Sequence, residues 1–437
     1  MKKIIILLLV TLFCMANVQA GYTKANFNKI IKEFGSDKNG IAISIINTKT
    51  GKTIYSLNGK MLMNPASVQK IITMPAAAEK LGKNYIFKTS MYSRGSDKYV
   101  LKLSGDPYLS SSDLKTLVKP VKPEAQQLYI DDSILDSKTW GEGWQWDDDM
   151  NVLMPRFGAY NLDKNIIKIK VLPSTTGQFA TIVNPSKYPF IFYNNVVSSN
   201  VANLDVKRDS SVSANTINLS GTIAKQVTLS IPSNDIKQYF ELQLTKALED
   251  NSVYMKNPYK KGHVLTSDKE IAVIEHSLTD AMNDVLKNSN NMIAETIFKL
   301  AGDGSDIGGI NMFNTYCTKN NISTTDIKIT DGSGVSKNNL LNADFVASYL
   351  YINKDNFVMN YLPHPGEGTL SQRMLPLKNS LKAKTGTLSS VSAIAGYITS
   401  KKGNDYTFCI IQNDVKLSDK DKKMLEDYLI REIYLKL

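Results

Sequence analysis

A serine and a lysine three residues apart, Ser67 and Lys70, are the residues of this chain best suited to nucleophilic chemistry. On a helix, residues three apart lie on one face with their Cβ atoms about 5–6 Å apart, so a lysine amine can reach a serine hydroxyl. Serine is a weak nucleophile until a base removes its proton, and a lysine serves as that base only where burial or a neighbouring cation keeps its amine neutral. The pair therefore predicts an acylated serine, provided that its helix is buried.

The segment around this pair, residues 65–82, has the composition of a buried helix. It reads PASVQKIITMPAAAEKLG, and apolar residues occupy nearly every face of the helix that it would form. Pro65 suits a first helical turn and Gly82 suits a helix C-terminus. The sequence therefore predicts a helix that runs through a core and keeps the lysine amine from water.

The same spacing occurs a second time, at Ser112 and Lys115. This pair lies in the short polar segment SSSDLKTLVKP, which is cut off at Pro120. Because Ser-x-x-Lys often arises by chance, the motif alone leaves catalysis and ordinary helix sequence equally open. Whether Ser67 is catalytic therefore depends on further motif residues elsewhere in the chain.

A Lys-Thr-Gly sequence at Lys384, Thr385 and Gly386 is one such partner. It precedes apolar, small-residue runs that indicate strands, and a lysine on a strand can hold a substrate carboxylate. Its glycine would let another backbone approach closely. A second copy, residues 49–51, lies between two predicted strands, where Lys-Thr-Gly is ordinary turn sequence.

A Ser-x-Asn sequence at Ser289 is the other partner, and by itself it is a weak signal. The same pattern also begins at residues 198, 213 and 336. Ser289, Asn290 and Asn291 follow a predicted helix and open the apolar segment MIAETIFKLA, so we expect their side chains at a helix N-terminus facing a cleft. A rival Tyr-x-Asn sequence stands at residues 193–195.

The elements that must position these residues fall into three stretches. Residues 41–58 predict a hairpin that leads into the Ser67 helix, and residues 84–262 contain short strands broken by Asn, Ser, Pro and Gly. Helical spacing then follows at residues 271–286, 292–301, 309–318 and 343–353. Strands at 397–398 and 406–411 and a helix at 424–435 close the chain.

Residues 1–20 predict a secretory signal peptide, with two lysines, a short apolar run and the small-residue cleavage site Val18-Gln19-Ala20. No later stretch has 18 consecutive apolar residues. We therefore expect an exported protein of the periplasm. The closing helix is amphipathic, which leaves open a peripheral contact with a membrane, although packing on its own sheet is the preferred interpretation.

Composition narrows the function classes further. The 437 residues carry a net charge of +11, which fits an anionic substrate or envelope surface. The basic residues are scattered singly, so the sequence gives no support for nucleic-acid binding. Three His residues without clustered ligand spacing predict no metal, and no cofactor is expected. Whether Cys317 and Cys409 pair is left open.

The order Ser67-Lys70, Ser289-Asn291, Lys384-Gly386 is that of the penicillin-recognising serine enzymes. The whole mature chain resembles the penicillin-binding protein 4 family of D-alanyl-D-alanine carboxypeptidases and endopeptidases. Further family-like sequences are GDPYL at 105–109, GWQWDD at 143–148, SNNMIAE at 289–295 and DGSGVSKNNL at 331–340.

This resemblance implies a role for each motif residue. Ser67 would be acylated, Lys70 would be its base, and Ser289 would relay the proton to the leaving amine. Asn291 would hold the peptide amide, and Lys384 and Thr385 the terminal carboxylate. Backbone N–H groups of Ser67 and Thr387 would form the oxyanion hole, a type of donor worth roughly 10²–10³ in rate.

The resemblance also suggests where the diamino acid of the stem peptide is bound. Asp148 would pair with its amine and Lys337 with its carboxylate. Family members often have arginine where Lys337 stands and glutamine where Ser389 stands, so the contacts with that side chain differ here. In either case, Gly332 and Gly334 indicate a tight turn.

These observations predict an α/β fold: a serine β-lactamase/transpeptidase-like domain, an antiparallel sheet flanked by helices, with a large inserted region. Residues 21–84 and 263–437 would form the catalytic domain and residues 85–262 an insertion of one or two subdomains. The predicted function is a serine DD-peptidase that acts on peptidoglycan stem peptides and is inhibited by β-lactams. A serine β-lactamase and a non-catalytic peptidoglycan-binding protein are the alternatives.

Overall fold

The computed structural model describes residues 25–35 and 38–437, and its contacts divide the chain into two compact units. The first contains the described residues up to Leu81 together with 282–290 and 309–437, and the second contains 82–281 and 291–308. The predicted signal peptide, residues 1–20, lies outside the described residues.

The helices and strands are numbered in chain order. The strands are β1 (Ile41–Asn47), β2 (Thr53–Leu57), β3 (Ile86–Arg94), β4 (Lys98–Lys102), β5 (Glu124–Ala125), β6 (Gln127–Asp131), β7 (Ile166–Leu172), β8 (Thr181–Val183), β9 (Ile191–Ser198), β10 (Asn203–Arg208), β11 (Thr216–Ile223), β12 (Val227–Pro232), β13 (Tyr254–Met255), β14 (Lys260–Lys261), β15 (Lys269–Ser277), β16 (Leu381–Leu388), β17 (Val391–Thr399) and β18 (Asp405–Asn413). The α-helices are α1 (25–33), α2 (Lys70–Leu81), α3 (Ser111–Val118), α4 (Ile236–Asp250), α5 (Leu278–Lys287), α6 (Asn291–Ala301), α7 (Asp306–Lys319), α8 (Ala343–Ile352) and α9 (Asp419–Lys436).

The first unit is built on a five-stranded antiparallel sheet in the order β16-β17-β18-β1-β2. Alternate strand residues such as Ile43 and Phe408 pack with Leu429 of α9 in one buried cluster. Thr407 points to the other face, where its hydroxyl donates to the Ala347 carbonyl of α8 at 2.9 Å. The sheet is therefore covered on both faces, as its nearly continuous apolar strands require.

The predicted hairpin at residues 41–58 is confirmed as β1 and β2. Its turn contains Lys49, Thr50 and Gly51, and Gly51 has a φ of +67°. The Asn47 side-chain oxygen accepts hydrogen bonds from the backbone N–H groups of Lys49 and Thr50, both at 3.0 Å. This copy of Lys-Thr-Gly is turn sequence, as predicted.

The predicted helix at 65–82 is present, but its first turn is tighter than expected. Residues Ala66–Gln69 form a 3-10 helix, α2 continues to Leu81, and Gly82 follows with a φ of +89°. A left-handed glycine is a common helix end. Tyr349 of α8 donates its hydroxyl proton to the Ile72 carbonyl at 2.8 Å, which joins the two helices.

The second unit contains the larger sheet β14-β6-β4-β3-β15, two three-stranded sheets and a two-stranded ribbon. Residues 271–277 were expected to be helical and instead belong to β15, which pairs antiparallel with β3. The pattern IAVIEHS suits either state locally, and pairing with a strand distant in sequence decides it. The predicted boundary after residue 262 therefore lies before the last strand of this sheet, and 291–308 also belong to the second unit.

The closing helix α9 packs on the sheet through Leu425, Leu429 and Ile433, which are buried. Among the described residues, no helix is long and apolar enough to cross a membrane. Cys317 and Cys409 are both buried and free, so this pair does not form a disulfide.

Candidate active site

Ser67 and Lys70 lie in contact at the start of the buried helix. The Lys70 Nζ atom is 2.9 Å from Ser67 Oγ and donates to the Ser333 carbonyl at 2.7 Å. Lys70 has no solvent exposure, whereas Ser67 is partly exposed. Burial disfavours a charged amine. The geometry therefore places a serine hydroxyl with access to solvent beside an amine that is shielded from it.

The backbone before Ser67 is held in a sparsely populated conformation. Ala66 has a φ of +46°, unusual for a residue with a side chain. Its N–H donates to the Asn64 side-chain oxygen at 2.9 Å, and the Asn64 amide donates to the Ser336 carbonyl at 3.0 Å. Such conformations persist only where their surroundings enforce them.

Strand β16 passes directly beside Ser67. A Cβ atom added to Gly386 would lie 3.0 Å from the Ser67 backbone nitrogen and 2.8 Å from the Pro65 carbonyl oxygen. Only glycine allows this approach without displacement of backbone atoms. Gly386 of the Lys-Thr-Gly sequence thus lies against the backbone at Ser67.

Lys384 and Ser289 also lie together in the first unit. Lys384 is fully buried, and its Nζ atom is 2.8 Å from Ser289 Oγ and 2.8 Å from the Thr385 carbonyl oxygen. Burial, and then the charge of Lys70, hold the pKa of Lys384 well below its ordinary value. Two buried amines that repel each other disfavour simultaneous protonation.

Asn291 and Asp148 belong to the second unit. Asn291 begins α6, and its side-chain amide donates to the Leu153 carbonyl at 2.9 Å. Asp148 is partly buried in the 3-10 helix Trp146–Asp148. The neighbouring Asp149 forms an ion pair at 3.1 Å with Arg208, whose side chain is nearly inaccessible to solvent.

The remaining predicted residues lie in the first unit. Thr385 is partly buried, Thr387 is exposed at the end of β16, and Lys337 is exposed in the loop after Ser336. The rival Tyr-x-Asn sequence at residues 193–195 lies on β9 in the second unit, and its Asn195 is exposed. No group of three His, Cys, Asp or Glu side chains in the described part of the chain could hold a metal ion.

Two features of this site were not predicted from the sequence. These are the left-handed conformation of Ala66 and the contact between Lys70 and the Ser333 carbonyl. Gly332 and Gly334 indicate a tight turn in the sequence, and the carbonyl that contacts Lys70 belongs to Ser333 between them. Ser333 is far from Lys70 in sequence, so the sequence does not indicate that the two residues are in contact.

Comparison with known proteins settles the family. Residues 23–431 match the D-Ala-D-Ala carboxypeptidase 3 (S13) family. The chain belongs to this family. It is 26% identical to the D-alanyl-D-alanine carboxypeptidase of an Actinomadura species, over 85% of this chain and 77% of that protein. It is 25% identical to the D-alanyl-D-alanine carboxypeptidase DacB of Haemophilus influenzae, over 86% of each.

A solved structure gives the same result for the fold. Penicillin-binding protein 4 from Haemophilus influenzae superposes with a TM-score of 0.81 and 25% identity, over 94% of this chain and 99% of that one. The predicted resemblance and the predicted fold class are confirmed. By its family and relatives the chain is a serine-type D-Ala-D-Ala carboxypeptidase.

Proposed function

We propose that this enzyme cleaves the D-Ala-D-Ala ends of peptidoglycan stem peptides through an acyl-enzyme on Ser67. The observation that carries the proposal is the 2.9 Å contact between Ser67 Oγ and the fully buried amine of Lys70. A lysine without solvent exposure is suited to accept a proton, because water does not stabilise its charged form.

In the acylation step, the Lys70 amine takes the proton of Ser67 while Ser67 Oγ forms a bond to the carbonyl carbon of the penultimate D-alanine. The bond from that carbon to the nitrogen of the terminal D-alanine then breaks, and the nitrogen receives a proton through Ser289. Water later releases the acyl group as a free carboxylate. The family resemblance assigns the oxyanion hole to the N–H groups of Ser67 and Thr387.

Lys384 and Thr385 are the proposed partners of the substrate's terminal carboxylate. Lys384 has its amine on Ser289 Oγ, so carboxylate binding and proton relay would involve adjoining groups. A carboxylate beside Lys384 favours the charged amine and would offset the low pKa that burial gives it.

The roles of Asn291, Asp148 and Lys337 stay predictions. The resemblance assigns the peptide amide to Asn291 and the diamino acid of the stem peptide to Asp148 and Lys337. Export to the periplasm rests on residues 1–20 alone. A peripheral membrane contact would involve the exposed face of α9.

β-Lactams are expected to acylate Ser67 as substrate analogues. The Haemophilus influenzae relative has been solved in complex with a β-lactam. A serine β-lactamase would share this acylation and release the product rapidly, whereas a non-catalytic binder would form no covalent adduct.

The experiment that tests the proposal is incubation of purified enzyme with purified peptidoglycan and mass analysis of the products. Release of D-alanine from pentapeptides indicates carboxypeptidase activity, and loss of cross-linked dimers indicates endopeptidase activity. Absence of both products would contradict the proposal. Rapid turnover of penicillin in their place would favour the β-lactamase.

A further inference from the structure

The segment from Asp331 to Asn339 packs against the start of the Ser67 helix. Three consecutive backbone carbonyls in this segment accept hydrogen bonds from three side chains of that helix. They are Asp331 O from Gln69 Nε2 at 3.2 Å, Gly332 O from Thr73 Oγ1 at 2.7 Å and Ser333 O from Lys70 Nζ at 2.7 Å. A loop of no regular structure thus serves as an acceptor for the catalytic helix.

The Asp331 carboxylate holds this loop in shape. Its Oδ1 atom accepts from Gly334 N at 2.8 Å and from Asn339 Nδ2 at 2.7 Å, and its Oδ2 atom accepts from Ser336 N at 2.6 Å. Asp331 is 2% exposed. Hydrogen bonds to a buried carboxylate are stronger than those between neutral groups, so the loop is fixed from within.

The loop also touches the residue before the nucleophile. Gly334 has a φ of +84°, and a Cβ atom there would lie 2.0 Å from the Ala66 carbonyl oxygen. Backbone packed this closely transmits a displacement of the loop to Ala66 and to its neighbour Ser67.

We propose that Asp331 is a positioning residue for the base, acting through the Ser333 carbonyl. The proposal rests on the proposed function, in which Lys70 takes the proton of Ser67. A neutral amine has two N–H bonds and one lone pair. With one N–H donated to Ser333 O, the amine can present its lone pair to Ser67 Oγ, 2.9 Å away, and take the Ser67 proton while it keeps the hydrogen bond to Ser333 O.

The choice of a carbonyl for this contact has a chemical reason. A carboxylate oxygen in its place would hold the lysine in its charged form, which cannot accept a proton. A neutral carbonyl orients the amine without fixing the charge, and it still stabilises the ammonium that forms after proton transfer.

The test is the pH dependence of acylation by a small penicillin in the Asp331→Asn variant. The substitution turns one carboxylate oxygen into an NH₂ group that faces an N–H donor, so Ser333 O is displaced. We expect the plateau rate to fall about tenfold, the effect of one hydrogen bond of this kind. The acidic limb should move to lower pH, because the ammonium loses an acceptor.

Rates are divided by the amount of active enzyme, measured as covalent adduct at completion. Asp344→Asn is the matched control, since the Asp344 carboxylate accepts from Ser56 on β2, at the sheet edge opposite β16. Its pH profile should superimpose on that of the wild type. If the Asp331→Asn profile also superimposes, the role of Asp331 is structural and the inference is wrong.

A second variant keeps the test decisive if Asp331→Asn does not fold. Gln69→Met removes the hydrogen bonds to the Asp331 carbonyl and to the Asn339 side chain and leaves the carboxylate intact. We expect a smaller change in the same direction, and an unchanged profile would overturn the inference. A covalent adduct that persists in Ser67→Ala would instead overturn the proposed function.

Discussion

The chain contains two serine and lysine pairs of identical spacing in opposite surroundings. Lys70 has no solvent exposure and contacts Ser67 at 2.9 Å. Lys115 has a side chain that is 47% exposed and forms an ion pair with Asp250 at 2.7 Å. Lys115 thus lies in solvent with its amine on a carboxylate, whereas Lys70 lies out of solvent with its amine on a serine hydroxyl. Spacing brings the two groups within reach, and burial decides whether they can react.

The two Lys-Thr-Gly sequences repeat this contrast. Lys49 is exposed in a hairpin turn, whereas Lys384 is fully buried on β16 beside Ser289. The turn copy needs only a glycine with positive φ. The strand copy needs Gly386 at a place where a side chain would strike the backbone at Ser67. The same three letters thus serve a turn in one place and a candidate site in the other.

Loss of the lysine amine is expected to give the largest difference in acylation rate between the two serine and lysine pairs. Lys70→Met keeps the length of the side chain and removes the base, so acylation by penicillin should slow by about 10²–10⁴-fold. The measurement is the stopped-flow rate of acylation at fixed penicillin concentration.

Lys115→Met is the matched control, and its acylation rate should equal that of the wild type. Equal rates in all three proteins would show that Lys70 is not the base. A loss in Lys115→Met comparable to that in Lys70→Met would remove the basis of the comparison.

A smaller effect is expected from the Lys-Thr-Gly pair. Lys384→Ala should lower kcat/KM for peptides that end in a free carboxylate by about tenfold to a hundredfold, the worth of one charged hydrogen bond. Lys49→Ala should leave this value unchanged. Unchanged kcat/KM in Lys384→Ala would contradict its assignment to the substrate carboxylate.

The pH profile of the wild type sharpens this prediction. Burial lowers the pKa of Lys384 from its ordinary value of 10.5, and any positive charge on Lys70 lowers this pKa further. The kcat/KM for peptides with a free carboxylate should therefore fall as pH rises, because Lys384 loses its proton. This fall should begin at a lower pH than it would for a lysine with an ordinary pKa. A kcat/KM that stays constant up to pH 10.5 would be inconsistent with this assignment.

The smallest and most selective effect concerns Asp148. Asp148→Asn should slow hydrolysis of peptides that contain diaminopimelate by about tenfold, and leave acylation by a simple penicillin unchanged, because penicillin lacks the amine. Asp147→Asn is the control, since Asp147 is exposed. Asp149 is unsuitable because it pairs with Arg208. Equal losses on both substrates would indicate a structural role for Asp148.

Much of the fold could be predicted from the sequence because its signals are local. The β1 and β2 hairpin, the Ser67 helix and the closing helix α9 have apolar periodicity and clear ends, and each is present. Strand β15 was missed because its state depends on pairing with β3, far away in sequence. Because β15 pairs with β3, residues 263–281 belong to the second unit.

The candidate site divides in the same way. Ser67, Lys70, Ser289 and Lys384 were chosen by motif, and all four lie together in the first unit. The Ser333 carbonyl is a backbone group that every residue type has, so its contact with Lys70 cannot be inferred from the identity of residue 333. The φ of Ala66 is imposed by Asn64 and by the close approach of Gly334, so it could not be foreseen from alanine itself.

The most direct measurement is the location of the penicillin adduct by tryptic digestion and mass spectrometry. We expect the adduct on the peptide of residues 61–70, which contains Ser67, and its complete loss in Ser67→Ala. Ser112→Ala should label like the wild type. An adduct on the peptide of residues 103–115, which contains Ser112, or labelling that survives in Ser67→Ala, would contradict the claim that burial selects the reactive pair.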